Sequence, residues 1–409
     1  MEHTLNEHHE LRKEYKTSEK AFVVLMVLIW TRYTVLNFIT VILRTIPVLQ
    51  IIADSAITIS IVVSIFVALP YFSRRISVAD VFFYCLMFAI VLVSSWLYTE
   101  NSEYIAEDFG RMVWNTFPIY FLGVAYSHEL CKKTLFWASL AGTCAFYAYQ
   151  LYNVSSGVDM ASDNMDASYK VLPSILYLIF CIFEYRKLWA IPFVIVGFLL
   201  ILSYGTRGPL IIMLIFAGYY AVSYIFRNGS FFVKLLAVLL IGFAVYCYLF
   251  DNILSDFAEY LIPKFEKAGL DTRILELFLD GDIIDHDSGR DDLQDTIKAI
   301  IWDKPVFGHG LMGDRVILGD RYVHNIAYEI FCHFGVIFGS IIIVALVINP
   351  VRAVIRTDSV ELRSFIIMLS CMVFVKLWVT GSYLYESYLF LLYGLAVATL
   401  RRTVSIFKR

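Results

Sequence analysis

The stretch Tyr322–Ile348, YVHNIAYEIFCHFGVIFGSIIIVALVI, changes character just after His324 and Asn325. A long polar segment, 251–323, precedes it. From Ile326 onward the chain is predominantly apolar for longer than the roughly 20 residues that cross a bilayer. Such a run reads as a membrane-spanning helix, and it puts a His-Asn pair at the boundary between water and lipid.

Composition agrees with a membrane protein. Of the 409 residues, 59% are hydrophobic and only 17% charged, more apolar surface than a soluble domain of this length buries. A net charge of −3 argues against nucleic acid as a ligand. The polar stretch Met1–Lys20 carries no pattern of a cleaved leader. Cys85, Cys131, Cys144, Cys181, Cys247, Cys332 and Cys371 lie in or beside apolar runs, which suits neither a disulfide framework nor a zinc site.

Apolar windows fall near 22–43, 46–69, 79–98, 112–127, 134–152, 171–185, 188–204, 208–226, 232–250, 325–348, 363–380 and 386–400. Twelve spans are therefore expected, with a cytoplasmic tail 1–20, nine spans over 21–250, a loop domain 251–323, three spans over 324–401 and a tail 402–409. Lys and Arg accumulate in alternate connections: Arg74 and Arg75, Lys132 and Lys133, Arg186 and Lys187, Arg227 and Lys234, Arg352 and Arg356, and both tails. The positive-inside rule then puts both termini in the cytoplasm and 251–323 outside. Within that loop, Leu293, Ile297, Ile300 and Ile301 have helical spacing, as an amphipathic helix on the membrane face would.

Candidate chemistry gathers on the outer side. Arg207, in Gly205-Thr206-Arg207-Gly208-Pro209, precedes an apolar helix whose free N–H groups favour a phosphate. Snorkelling to lipid headgroups is the alternative. Arg290 follows Gly289 and is the second outer arginine, with a salt bridge to Asp291 or Asp292 as its other reading. His324, at a helix N-terminus, is held toward its neutral form and so suits a general base, or it simply hydrogen-bonds there. Asn325 and Glu329 could orient His324 or bind sugar hydroxyls. Arg321 adds a charge close by in the chain, and Arg111 and Lys376, near span ends, line a cavity for an anion or snorkel. Gly335 and Gly339, four apart, read as a close helix–helix contact. The acidic run 280–287 does not have EF-hand spacing and reads as a solvated loop.

Taken in order, Thr206-Arg207-Gly208, Gly289-Arg290, Pro305-Val306-Phe307-Gly308-His309-Gly310, and His324-Asn325 followed by Gly335 resemble the O-antigen polymerase (Wzy) and O-antigen ligase family of bacterial polysaccharide enzymes. The motifs cover about 200–340. The resemblance implies an all-helical, GT-C-like membrane glycosyltransferase with a large periplasmic loop before the tenth span, in the bacterial inner membrane. It also implies that Arg207 and Arg290 hold a diphosphate and that His324 serves the acceptor sugar, with no metal and no cofactor. The ligases' second-arginine motif has a leucine four residues on, where this chain has Gln294. The implied substrates are oligosaccharide repeat units on undecaprenyl diphosphate, both donor and acceptor, and a chain-length regulator protein is a further expected partner. Polymerase is expected over ligase because the smaller outer loops lean acidic. A transporter or flippase is the reading from another class, disfavoured because the notable residues collect at one surface.

Overall fold

In a computed structural model the chain is helical, with no strand among the described residues. The structure describes residues 2–43, 47–155, 164–203, 206–228, 253–267, 272, 276 and 290–407. The helices are α1 (Glu2–Thr31), α2 (Asn37–Leu43), α3 (Pro47–Ser73), α4 (Val78–Leu97), α5 (Ser102–Gly110), α6 (Ile119–Ala125), α7 (His128–Ser155), α8 (Asn164–Tyr185), α9 (Ile191–Ser203), α10 (Arg207–Asn228), α11 (Ile253–Lys267), α12 (Arg290–Ile300), α13 (Gly313–Leu318), α14 (Ile326–Arg356), α15 (Val360–Val379) and α16 (Ser387–Phe407).

Among the described residues, six stretches are long and apolar enough to cross a membrane: Glu14–Leu43, Val48–Ser73, Val78–Leu97, Ala167–Tyr185, Ile326–Arg356 and Val360–Val379. They correspond to six of the twelve windows. Windows 188–204 and 208–226 are shorter apolar helices, Leu188–Leu202 and Gly208–Ser223. Window 112–127 is interrupted by a π turn, Arg111–Thr116, in which Phe117 N donates to Met112 O at 2.8 Å. Pro118, which lacks an N–H, follows directly and keeps α6 from joining that turn. Windows 134–152 and 386–400 lie within α7 and α16. Window 232–250 and the acidic run 280–287 lie outside the described residues.

The chain forms two compact units. One comprises 1–29, 46–135 and 288–409, the other 30–45 and 136–287. The boundary at Asp287 and Ser288 falls inside the long polar segment.

In the first unit, α6 and α16 meet at Gly123 and Gly394, where a Cβ on either residue would meet the backbone of the other helix. Glycine is required there because the backbones themselves are in contact. The start of α4 is fixed by a capping box: Ser77 N donates to Asp80 Oδ2 at 2.8 Å and Asp80 N to Ser77 Oγ at 3.4 Å. Helix α12 forms from the expected spacing, but its apolar face packs inside the protein. Leu293, Ile297 and Ile301 are buried against Leu318, Val323 and Cys332, so this face is not a lipid-facing one.

In the second unit, Trp30 Nε1 donates to Ser139 Oγ at 2.9 Å, and its ring meets Tyr177 edge-on. Thr206 Oγ1 donates to Ser168 Oγ at 2.8 Å, tying the start of α10 to α8.

Candidate functional site

The His-Asn boundary is built as a cap. Asn325 has extended backbone, and its Oδ1 accepts from Ala327 N at 3.0 Å and Tyr328 N at 3.3 Å, satisfying donors that the first turn of α14 leaves open. Its Nδ2 donates to Trp378 O at 3.4 Å. Asn325 is thus engaged in helix initiation. His324, one residue earlier, sits in left-handed backbone at φ 57°, and its ring lies 4.0 Å from the Tyr322 ring. Met312, Asp320 and His324 are three of four non-glycine residues with positive φ among those described. Strained backbone is therefore concentrated in the segment 305–325, as it is at sites whose geometry the surroundings must enforce.

Helix α14 is broken at Gly335, with φ 75° and ψ 167°. The break is filled by backbone from the loop before α13. His309 N donates to Cys332 O at 2.7 Å, Gly310 N to His333 O at 3.1 Å, and Ile337 N to Pro305 O at 3.0 Å. A Cβ at Gly335 would lie 2.6 Å from Pro305 O, and one at Gly308 would lie 2.6 Å from Cys332 O. This corrects the expected helix–helix contact at Gly335 and Gly339. Gly335 admits a loop into its own helix, and a Cβ at Gly339 would meet Phe331 and Ile330 of that helix. The same loop is held from the end of α4: Tyr98 OH donates to Gly308 O at 3.2 Å, Asn101 Nδ2 to His309 O at 2.8 Å and to Leu311 O at 2.9 Å, and Leu311 N to Ser94 Oγ at 2.7 Å.

Beneath this loop lies a buried charge network, of which the sequence pattern singled out Glu329 but not Asp314, Arg315 or His333. Arg315 Nη1 donates to Asp314 Oδ2 and, at 3.1 Å, to Glu329 Oε1. His333 Nε2 lies 2.8 Å from Asp314 Oδ1, and its Nδ1 2.8 Å from the Tyr383 hydroxyl. Glu329 also accepts from Ser382 Oγ at 2.5 Å and from Tyr383 N at 3.2 Å. All four charged or titratable side chains are buried, so each depends on the others. Burial alone would raise the Asp314 carboxyl, but the His333 ring and the Arg315 guanidinium outweigh it and hold it at about 2. Burial opposes the Arg315 charge, yet the two carboxylates push its pKa up. Burial raises the Tyr385 hydroxyl, as does its hydrogen bond to Asp108, against the opposing pull of Arg315.

Asp314, Glu329 and His333 present ligand atoms within 4.8 Å of one another and could hold a metal ion. Arg315 Nη1 already contacts both carboxylates, so a divalent ion there would face a guanidinium at the same oxygens.

The other nominated residues are spread through the structure. Glu329 serves Arg315, Ser382 and Tyr383. Arg321 is exposed, its Nε donating to Leu318 O at 3.3 Å. Arg111 begins the π turn, 3.3 Å from Asp108 and over the Tyr385 ring at 5.0 Å. Lys376 pairs with Glu386 at 2.6 Å. Arg207 is the first residue of α10 in the second unit and Arg290 the first of α12 in the first unit; their side chains lie outside the described residues. Two signals could have exposed the missed network. Glu329 and His333 are one turn apart on an otherwise apolar helix, and Asp314-Arg315 is an adjacent charge pair opening an apolar turn.

No family model, no curated protein and no solved structure matches this chain. What the fold and the buried network define is a class: a membrane-embedded, all-helical protein with a polar site where the segment before α14 meets that helix.

Proposed function

We propose that this protein is a membrane glycosyltransferase that joins oligosaccharide repeat units carried on undecaprenyl diphosphate, acting as a surface-polysaccharide polymerase. It would cross the bacterial cytoplasmic membrane twelve times, with both termini inside and the reaction at the outer face. The observation that carries this reading is His324: an imidazole in strained left-handed backbone at the head of an apolar helix, its ring against Tyr322, which in turn lies 5.2 Å from the Arg315 guanidinium. Transfer from a diphosphate donor uses a positioned base, with cations for the departing charge.

In this mechanism His324 takes the proton of the acceptor hydroxyl. The acceptor oxygen bonds to the donor's anomeric carbon as the bond to the diphosphate breaks, and the electron pair departs on the lipid diphosphate. Single displacement inverts that carbon. Arg207 and Arg290 stabilise the departing charge; each is the first residue of a helix, where backbone N–H groups and the helix dipole add to the guanidinium. Lipid-linked donor and acceptor are the partners, with a chain-length regulator as a further one, and the reaction calls for no cofactor.

The test is purified protein with a lipid-linked repeat unit and a chelator, products resolved on a gel. A ladder is expected that falls on the order of 10²-fold or more in His324→Ala. An unchanged ladder in that variant overturns the assignment. Loss of the gene should leave single-repeat surface glycan; glycan that is polymerised but unattached would make the protein a ligase instead. The break in α14 at Gly335 is the feature that favours a transporter, since such proteins use discontinuous helices. Here the freed backbone groups are taken by the 305–310 loop, not left facing a cavity. Movement of a labelled lipid-linked glycan across liposomes without lengthening would establish the transporter reading.

A further inference from the structure

The buried network contains a group it does not use. Arg315 is 5% exposed and both of its ion pairs run through Nη1, while Nη2 is buried with no hydrogen-bond partner. An arginine has five donors in a planar fork, and a buried guanidinium edge left unmade is costly unless something else meets it. The surroundings of that guanidinium are aromatic: its carbon lies 5.2 Å from the Tyr322 centroid and 5.8 Å from the Tyr385 centroid, and both tyrosines are part-exposed. A second guanidinium, that of Arg111, lies 5.0 Å from the same Tyr385 ring. Arg111 is mostly exposed, and Asp108, its partner at 3.3 Å, also accepts the Tyr385 hydroxyl. One tyrosine ring therefore sits against two arginines, one buried with an idle edge and one open to solvent.

We infer that Arg315 and Arg111, both against the Tyr385 ring, form a binding site for a diphosphate. The inference rests on the glycosyl-transfer reading and adds two binding residues for the donor's diphosphate in the unit that holds Arg290 and His324. Arginine suits the role because its fork meets two oxygens of one phosphate. Displacement of the Tyr322 ring from the Arg315 guanidinium opens Nη2 to one phosphate oxygen, and Arg111 meets the other phosphate. Tyr322 touches His324, so the same displacement repositions the proposed base when donor is present. Arg111 and Arg315 are then binding residues, with Tyr385, whose ring both meet, a positioning residue.

The test is titration of the full-length detergent-solubilised protein with farnesyl diphosphate, a soluble lipid diphosphate, with thermal unfolding as the check on folding. Arg315→Lys keeps the charge that the carboxylates need and removes the fork. Arg111→Gln changes an exposed side chain. Each is expected to weaken binding about tenfold or more. Inorganic diphosphate should compete and phosphatidylglycerol micelles should not. Competition by phosphatidylglycerol alone would make this a headgroup site and overturn the inference. Parental affinity in both variants, or in Arg111→Gln alone should Arg315→Lys not fold, overturns it as well. If only Arg207→Gln and Arg290→Gln lose affinity, the site is elsewhere while the glycosyl-transfer reading stands. If Arg315→Lys loses affinity but the parent elongates no glycan, the diphosphate site stands and the glycosyl-transfer reading falls.

Discussion

Two buried aspartates in the first unit sit at opposite ends of their surroundings' ability to satisfy them. Asp80, at the start of α4, accepts from Ser77 N at 2.8 Å, Ser77 Oγ at 2.7 Å, Tyr120 OH at 2.7 Å and Arg401 Nη1. Arg401 Nη1 also meets Ser77 Oγ at 2.8 Å and is part-exposed, so water serves whatever the protein does not. Asp314 is just as buried, yet its arginine is buried with it and keeps an idle Nη2. The first network is a closed clasp between α4 and α16. The second holds a charge in place and leaves one edge of it unused, the feature on which the inferred diphosphate site rests.

That contrast can be broken by mutation. Arg315→Met strands two buried carboxylates and should lower stability by about 3–5 kcal/mol, read by thermal unfolding in detergent. Arg401→Met leaves Asp80 three other donors and nearby solvent, and should cost about 1–3 kcal/mol. A larger loss at Arg401 than at Arg315 would erase the distinction. Arg401→Lys should also bind farnesyl diphosphate as the parent does, because the Arg401 charge is engaged by Asp80 and its remaining donors are met by water.

The break in α14 offers the next largest effect. Gly335→Ala forces a side chain into φ 75° and toward Pro305 O, at about 1–3 kcal/mol in the same assay, and should loosen the 305–310 loop enough for faster amide exchange at His309 and Gly310. Unchanged exchange there would mean the loop is held from α4 alone.

Acid sharpens the comparison by a third route. The Asp314 carboxyl is held at about 2 in the folded protein against an ordinary value of 3.8, so its stabilising contribution is complete above the ordinary value and is lost as pH falls from there toward about 2. Unfolding temperature should drop across that window, and Asp314→Asn should flatten the drop. The smallest effect is at the cap: Asn325→Ala should cost about 1 kcal/mol, read by the same unfolding measurement. A neutral result would mean that Asn325's bonds to Ala327 N and Tyr328 N are replaced by water.

Much of this was legible along the chain. The passage from polar loop to apolar run at His324-Asn325 does start a helix, because Asn is a strong cap and the run after it gains by burial in an apolar medium. The spacing of Leu293, Ile297, Ile300 and Ile301 does form α12. The surface α12 meets was not legible, since an apolar stripe suits lipid or protein equally. Gly335 and Gly339 misled for a related reason: a glycine every four residues permits a neighbouring helix, and equally permits a break, and only the approach of Pro305 decides.

The sequence by itself determined that the chain is helical, that several of its helices are apolar enough to span a bilayer, and that one of them starts at Asn325, because those properties follow from backbone bonding and side-chain partition within a few residues. Only the tertiary structure decided that Arg315 rests on Glu329, that His333 meets Asp314 and Tyr383, and that Arg111 and Arg315 share a tyrosine. A buried charge is satisfied by whatever packing brings to it, and its partners come from connections far apart in the chain, where no local pattern records the pairing.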